Sequence, residues 1–182
     1  MYSPDAIGPS TADGSAASQG RGARGAAVQL PFAAVTVRPA EPGDVEAMRT
    51  IAVAAYQHYV SRISHAPAPM TADYPQAVRR RQAWVAVEGG EVMGFAILIA
   101  QPGYLLLDNV AVRPDAQGRG IGTRLLELAE DHARSLHLGE VRLYTNEAMT
   151  ENLSYYPRHG YVETHRAEQD GFRRVYFRKP LD

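Results

Sequence analysis

Residues 104–139 constrain the fold more than any other stretch of the chain. "YLLLDNVAV", Tyr104 to Val112, is apolar enough to be a buried strand, and Pro114 ends it. Three glycines then fall within "QGRGIG", Gln117 to Gly122. Beyond them Leu125, Leu128, Ala129, Ala133 and Leu136 recur at helical spacing, while Glu127, Glu130, Asp131 and Arg134 lie largely off that stripe. The expected helix covers about residues 121–137, with Gly139 after its end. A buried strand that turns directly into an amphipathic helix belongs to a layered α/β domain. Glycine costs conformational entropy, so a cluster needs a reason. Here successive backbone N–H groups can point outward from the turn, and the helix dipole adds partial positive charge, which makes an anion site. Arg113 and Arg119 are expected to add charge at its rim.

Two phosphate loops can be tested against this stretch. The Walker loop fails because no Gly-Lys-Ser/Thr closes it. The dinucleotide fingerprint fails because Thr123 or Leu125, depending on the starting glycine, stands where its third glycine should be.

The remaining chain reads as alternating elements. "AAVTVRPA" alternates like a strand. In "EPGDVEAMRTIAVAAYQHYV" Asp44 can cap a helix whose buried face is Val45, Met48, Ile51, Ala52 and Ala55. A proline-punctuated connection leads to a short helix over about residues 71–81. "AWVAVEGGEVMGFAILIA" is a hairpin with Gly89-Gly90 at its turn. "EVRLYTN" is a strand and "TENLSYYPRH" a short helix. "YVETHR" and "FRRVYFRKP" form a last hairpin around Asp170-Gly171. The order β-α-α-β-β-β-α-β-α-β-β predicts an α/β fold with a mixed central sheet flanked by helices. Residues 1–31 are Gly-, Ala- and Ser-rich with no apolar period, and are expected to be a disordered tail before one domain over 34–182.

Composition narrows function. A formal net charge of -1 argues against a nucleic-acid partner. No cysteine is present, which removes disulfides, thiolate metal sites and a cysteine nucleophile, and suits a reducing cytoplasm. The longest apolar run, Val92 to Ala100, is far short of the roughly 20 residues of a membrane helix, so no membrane partner is expected. His132 and His137 are five apart, a poor ligand pair, and no metal is expected. No Ser-His-Asp set has a nucleophile elbow.

Read as Q/R-x-x-G-x-G/A, Gln117 to Gly122 resembles the GCN5-related N-acetyltransferase (GNAT) family, which binds acyl-CoA. "LDNVAVRP" is similar to that family's central strand, and "YYPRHGYVE" to its C-terminal tyrosine–glycine element. The resemblance covers about residues 34–180. It implies a GNAT-like, mostly antiparallel sheet with a cleft splayed open beside the central strand. It also implies acetyl-CoA as co-substrate and a small-molecule or peptide amine as acceptor. Many members of the family are dimers, so a homodimer is an expectation of the same kind.

The resemblance carries over to individual residues. Val110, Ala111 and Val112 would offer backbone groups to the pantetheine arm, and the Val110 N–H would hold an oxyanion. Gln117, Gly118, Arg119, Gly120, Ile121, Gly122 and Thr123 would hold the pyrophosphate through main-chain N–H groups, with a charged contact from Arg119 or a solvated rim arginine. Tyr156, four residues before Gly160, would act as general acid to the leaving thiolate, while Tyr155 would pack. Asn152 either contacts the coenzyme or caps the short helix, since Met149 occupies the family's usual asparagine position.

Asp108 is the acid of the central strand and the candidate water-mediated base; alternation puts it on one face with Val110 and Val112. The alternative is a hydrogen-bonding aspartate at a sheet bulge. Asn109 faces the other way and is a weaker polar candidate. Tyr56, Tyr59, Met70 and Tyr74 are expected to wall the acceptor site, with Ser61 to Thr71 setting specificity. The same glycine loop would also serve a non-catalytic acyl-CoA-binding regulatory module.

Overall fold

The computed structural model describes residues 34–63 and 66–182. The expected tail, 1–31, lies outside the described residues. The strands are β1 (Thr36–Pro39), β2 (Ala83–Glu88), β3 (Glu91–Gln101), β4 (Tyr104–Val112), β5 (Glu140–Asn146), β6 (Val162–Gln169) and β7 (Phe172–Pro180). The helices are α1 (Val45–Tyr56), α2 (Tyr74–Arg79), α3 (Ile121–Ser135) and α4 (Thr150–Arg158). Their order along the chain is the expected one.

The seven strands form one sheet in the order β1-β2-β3-β4-β5-β7-β6. Every neighbouring pair is antiparallel except β4 and β5, which are parallel. On one face α3 and α4 pack through Ile121, Leu125, Ala129 and Tyr156 against Leu105, Leu107, Val110 and Val112. On the other, α1 and α2 pack through Met48, Ile51, Tyr56 and Tyr74 against Val85, Phe95 and Ala111.

Some boundaries moved for local reasons. The second helix starts at Tyr74, not 71, because Asp73 accepts a 2.9 Å hydrogen bond from the Gln76 N–H and so caps it there. Asp44 does not cap α1 with its side chain. Its carboxylate instead accepts from Arg38 at 2.7 Å and 3.0 Å and from the Glu41 N–H at 2.7 Å. The Arg38 guanidinium holds this carboxyl below the usual range. The left-handed residue after α3 is His137, at φ 56, rather than Gly139.

The central strand carries the larger correction. Ile97 pairs with Asn109 and Leu98 with Leu107, so Asp108 is an extra residue in β4. Leu107 and Val110 therefore reach the same core, three residues apart. Asp108 is not on the face of Val110 and Val112, because the bulge breaks the alternation that put it there. It looks into a cavity under α1 and α2.

Gly94 in β3 is needed for close packing of the central strands. A Cβ there would stand 2.8 Å from the Ala111 carbonyl oxygen and 3.3 Å from both Ile121 and Leu125. Gly94→Ala is expected to destabilise by about 1–3 kcal/mol through backbone displacement. That corresponds to a fall in Tm of roughly 3–10 °C for a chain of this size. An unchanged melting curve would show that the strands separate at no cost.

Candidate active site

β4 and β5 pair at Leu105–Val141 and Leu106–Arg142 and part beyond them. The Arg113 N–H bonds the Met93 carbonyl at 2.8 Å, and the Ala111 carbonyl points at β3. The carbonyls of the alternate residues serve side chains away from β3: Val110 accepts from the Tyr56 hydroxyl at 3.2 Å and Val112 from the Gln117 amide at 3.4 Å. Within an extended strand the N–H and C=O of one residue point the same way. The Val110 N–H is thereby turned to the opening beside β5. Ala111 lines that opening too, but its carbonyl is directed to the sheet.

Two cavities meet at Val110. The first, about 150 Å³, is lined by Val110 to Val112, by Gln117, Gly118 and Gly120 to Thr123, and by α4. Gly118 and Gly120 take φ of 79° and 80°, the left-handed region that glycine adopts without strain. Gly120 is the N-cap of α3, so the free N–H groups of the first helical turn open on the cavity. A Cβ on Gly122 would lie 2.7 Å from the Tyr155 hydroxyl, so glycine keeps this cradle open. An extended amide-bearing chain ending in a pyrophosphate fits these donors.

The charges around this cradle differ from expectation. Arg119 turns its guanidinium to Glu88, 2.6 Å from each carboxylate oxygen, and is not among the lining residues. Arg113 is held by Asp115 at 2.6 Å and Glu91 at 3.0 Å. The cation at the cleft is Arg158, which donates to the Ser154 carbonyl and hydroxyl at 3.1 Å and 3.2 Å, with His159 and Tyr155 beside it. Burial pushes the His159 imidazole below its ordinary value, which favours its neutral form. Sequence reading missed Arg158 and His159 and took Tyr155 as packing. Their only local signal is position, one helical turn around the tyrosine before Gly160.

The second cavity, about 300 Å³, lies under α2 and the segment Pro67–Pro69. Tyr56, Tyr74, Asp108, Asn109 and Tyr156 all line it. Tyr59 and Met70 do not. Tyr59 is fully buried with its hydroxyl 3.3 Å from Glu151, and Met70 packs against the α1 core. Both were expected from an acceptor site between the first two helices and the last hairpin, but their side chains pack elsewhere.

Asn109 is central to the floor. The Tyr56 hydroxyl donates to its Oδ1 at 2.9 Å, and its Nδ2 donates to the Tyr74 hydroxyl at 3.1 Å. Tyr74 donates in turn to the Pro69 carbonyl at 2.6 Å. The Asp108 carboxylate accepts from the Tyr144 hydroxyl at 3.1 Å. Burial and the Asp108 charge push that phenol up to about 12. Tyr156 is 3% exposed, and burial raises its hydroxyl well above the ordinary phenol value, so it stays protonated.

Asn152 is not a helix cap, since the N-cap of α4 is Met149. Its side chain is fully buried, and Nδ2 donates to the Thr145 hydroxyl at 2.8 Å and to the Met149 sulfur at 3.6 Å. It lines neither cavity. Among the described residues no group of three or more His, Cys, Asp or Glu could hold a metal ion. No helix among them is long and apolar enough to cross a membrane.

Comparison with known proteins bears on this geometry. The chain is 33% identical over 94 residues to the peptidyl-lysine N-acetyltransferase YjaB of Salmonella typhimurium, a match spanning 51% of this chain and 59% of that relative. Among solved structures, the PaiA N-acetyltransferase of Thermoplasma acidophilum, in complex with coenzyme A, superposes with a TM-score of 0.69 at 18% identity. That superposition covers 81% of this chain and 99% of the other. YncA, a protein from Salmonella typhimurium described as an acetyltransferase with its cofactor acetyl-CoA, superposes with a TM-score of 0.63 at 20% identity, over 82% and 95% of the two chains. These structures share the overall fold. The family model for the acetyltransferase (GNAT) family matches residues 45–161, from the start of α1 to the tyrosine after α4, and the chain belongs to that family.

Proposed function

We propose that this chain transfers an acetyl group from acetyl-CoA to a primary amine. The observation that carries the reading is Val110, which lines both the glycine-loop cradle and the cavity holding Asp108 and Tyr156. One residue thus touches both compartments where two substrates would have to meet.

Main-chain N–H groups of Gln117 to Thr123 hold the pyrophosphate, with Arg158 alongside. Acetyl-CoA supplies a thioester: an acyl carbon open to attack and a thiolate as leaving group. Asp108 takes one proton from the acceptor ammonium through water, and the freed lone pair forms the C–N bond. The Val110 N–H donates to the carbonyl oxygen as charge builds there. As the C–S bond breaks, its electron pair goes to sulfur, and the Tyr156 hydroxyl donates a hydrogen bond to it. An ordinary thiol has a pKa of about 8.5, below that of a buried phenol, so Tyr156 acts by stabilising the anion. The second nitrogen proton then neutralises the thiolate, directly or through the Tyr156 oxygen.

The coenzyme site is tested by thermal unfolding with acetyl-CoA and with a truncated thioester lacking the pyrophosphate. At a hundredfold excess over Kd, acetyl-CoA is expected to stabilise by about 2.7 kcal/mol, and the truncated analogue by much less. No shift with either at saturation would mean that the glycine loop is only a turn. Transfer is tested by thiol release measured with a thiol-reactive dye, for which a chain without cysteine gives no background. Amine-dependent release supports the enzyme; a thermal shift without release leaves the binding module.

A further inference from the structure

In the second cavity an acidic and a basic side chain both contact one aromatic ring, the first at its hydroxyl and the second over its face. Tyr144 in β5 gives its hydroxyl to Asp108 at 3.1 Å. The Arg174 guanidinium, from β7 two positions before Tyr176, which faces Tyr144, lies over the same ring, 4.5 Å from its centroid. Both Asp108 and Arg174 line the cavity. The Arg174 side chain is 14% exposed. It uses two donors, on the Gln169 side-chain oxygen at 3.0 Å and on Asp170 at 3.4 Å. A guanidinium has five. Asp108 has no ion pair among the described residues and accepts from the Tyr144 hydroxyl.

The remaining walls are mostly apolar. Ile97, Ile99, Leu107, Ala77 and Phe172 are among them, and Asp73 and Arg80 add a second acid and a second cation to the lining. Pro67 to Pro69 and α2 cover the cavity from above. A carboxylate and a guanidinium that share one aromatic neighbour and one cavity suit a ligand carrying both an ammonium and a carboxylate. An apolar covered remainder suits a compact hydrocarbon or aromatic side chain. A lysine within a peptide meets neither condition: it brings no carboxylate to the guanidinium and must trail a main chain out of the cavity.

We infer that the acceptor is a free α-amino acid with a bulky apolar side chain, its ammonium held toward Asp108 across the intervening water and its carboxylate on Arg174. This rests on the acetyltransferase reading above, and makes the product an N-acetyl amino acid. Arg174 sets specificity: it selects the carboxylate and aims the nitrogen.

The test uses the full chain with acetyl-CoA and three probes. These are phenylalanine, phenethylamine (the same amine without the carboxylate) and an N-acetylated, C-amidated lysine peptide. Phenylalanine is expected to show a kcat/KM about 10- to 100-fold above phenethylamine, the usual worth of a charged hydrogen bond. Arg174→Gln should collapse that ratio by at least about tenfold, and Arg174→Lys should restore part of it. Arg80→Gln, at the residue after α2 and a second cation lining the cavity, should leave the ratio standing. Equal use of the two amines, a preference for the peptide, or collapse of the ratio in the Arg80 variant instead would overturn the inference.

Calorimetric binding of phenylalanine to the protein saturated with CoA separates this inference from the reaction. Binding that Arg174→Gln weakens, without thiol release from any amine, would sink the transfer reaction but leave the amino-acid site. Amine-dependent thiol release without phenylalanine binding would do the reverse.

Discussion

Asp108→Asn is expected to lower kcat/KM for an amine acceptor by about 10²- to 10⁴-fold near neutral pH, the range general-base removal commonly costs. The carboxamide is nearly isosteric and can still accept from the Tyr144 hydroxyl, so the fold and the bulge should survive. The change removes one thing, a group able to take the ammonium proton. Without it the reaction depends on the fraction of acceptor that is already free amine. That fraction rises about tenfold per pH unit up to an ammonium pKa of about 10. The deficit of the variant should therefore shrink steadily between pH 7 and pH 10. Paired pH–rate profiles of the two proteins check this. A deficit that stays constant across the range would mean that Asp108 only anchors the acceptor and does not accept its proton.

Tyr156→Phe is expected to lower kcat by about 10- to 100-fold, with acetyl-CoA affinity changed by less than about threefold. The lost interaction is a hydrogen bond to a developing thiolate, and bonds to charged groups carry most of that range. The ring itself belongs to the core, within 5.9 Å of Tyr161 and 5.6 Å of Phe177 between centroids, and phenylalanine keeps those contacts. Because burial raises this hydroxyl, wild-type turnover should show no loss from Tyr156 ionisation up to about pH 10. Replacing the thioester by one with a more acidic thiol should narrow the gap between wild type and variant, since a stabler leaving group needs less help. Equal kcat in the two proteins would remove Tyr156 from the reaction and leave it as packing.

Much of this molecule could be read from the chain. Among the described residues the α-helices and strands fall in the order expected from periodicity and turn chemistry. Gly89-Gly90 and Asp170-Gly171 do sit at the hairpin tips, all with positive φ. The glycine cradle was legible because its requirements are local. Gly118 and Gly120 need left-handed backbone, and the helix that follows needs a free N-terminus. Tyr156 was legible through its spacing to Gly160, and it does reach the cavity shared with Asp108.

What failed was of another kind. Arg119 and Arg113 are close to the cradle in sequence, yet each was taken by a carboxylate 31 or 22 residues away, on the hairpin of β2 and β3. Arg158, unremarkable in the sequence, became the cation of the cleft because α4 docks against the start of α3. Tyr59 and Met70 were expected beside Tyr56 and Tyr74 but do not line the cavity. The bulge turned Asp108 away from Val110 and toward Tyr144 and Arg174.

The chain alone therefore determined its elements, its buried stripes and its glycine turn ahead of α3, since each depends on residues a few positions apart and on backbone preferences that act at that range. Only the tertiary structure decided which charges meet, which strands part and which way Asp108 faces. An ion pair chooses the partner that folding brings nearest, and one unpaired residue in a strand reverses every side chain beyond it.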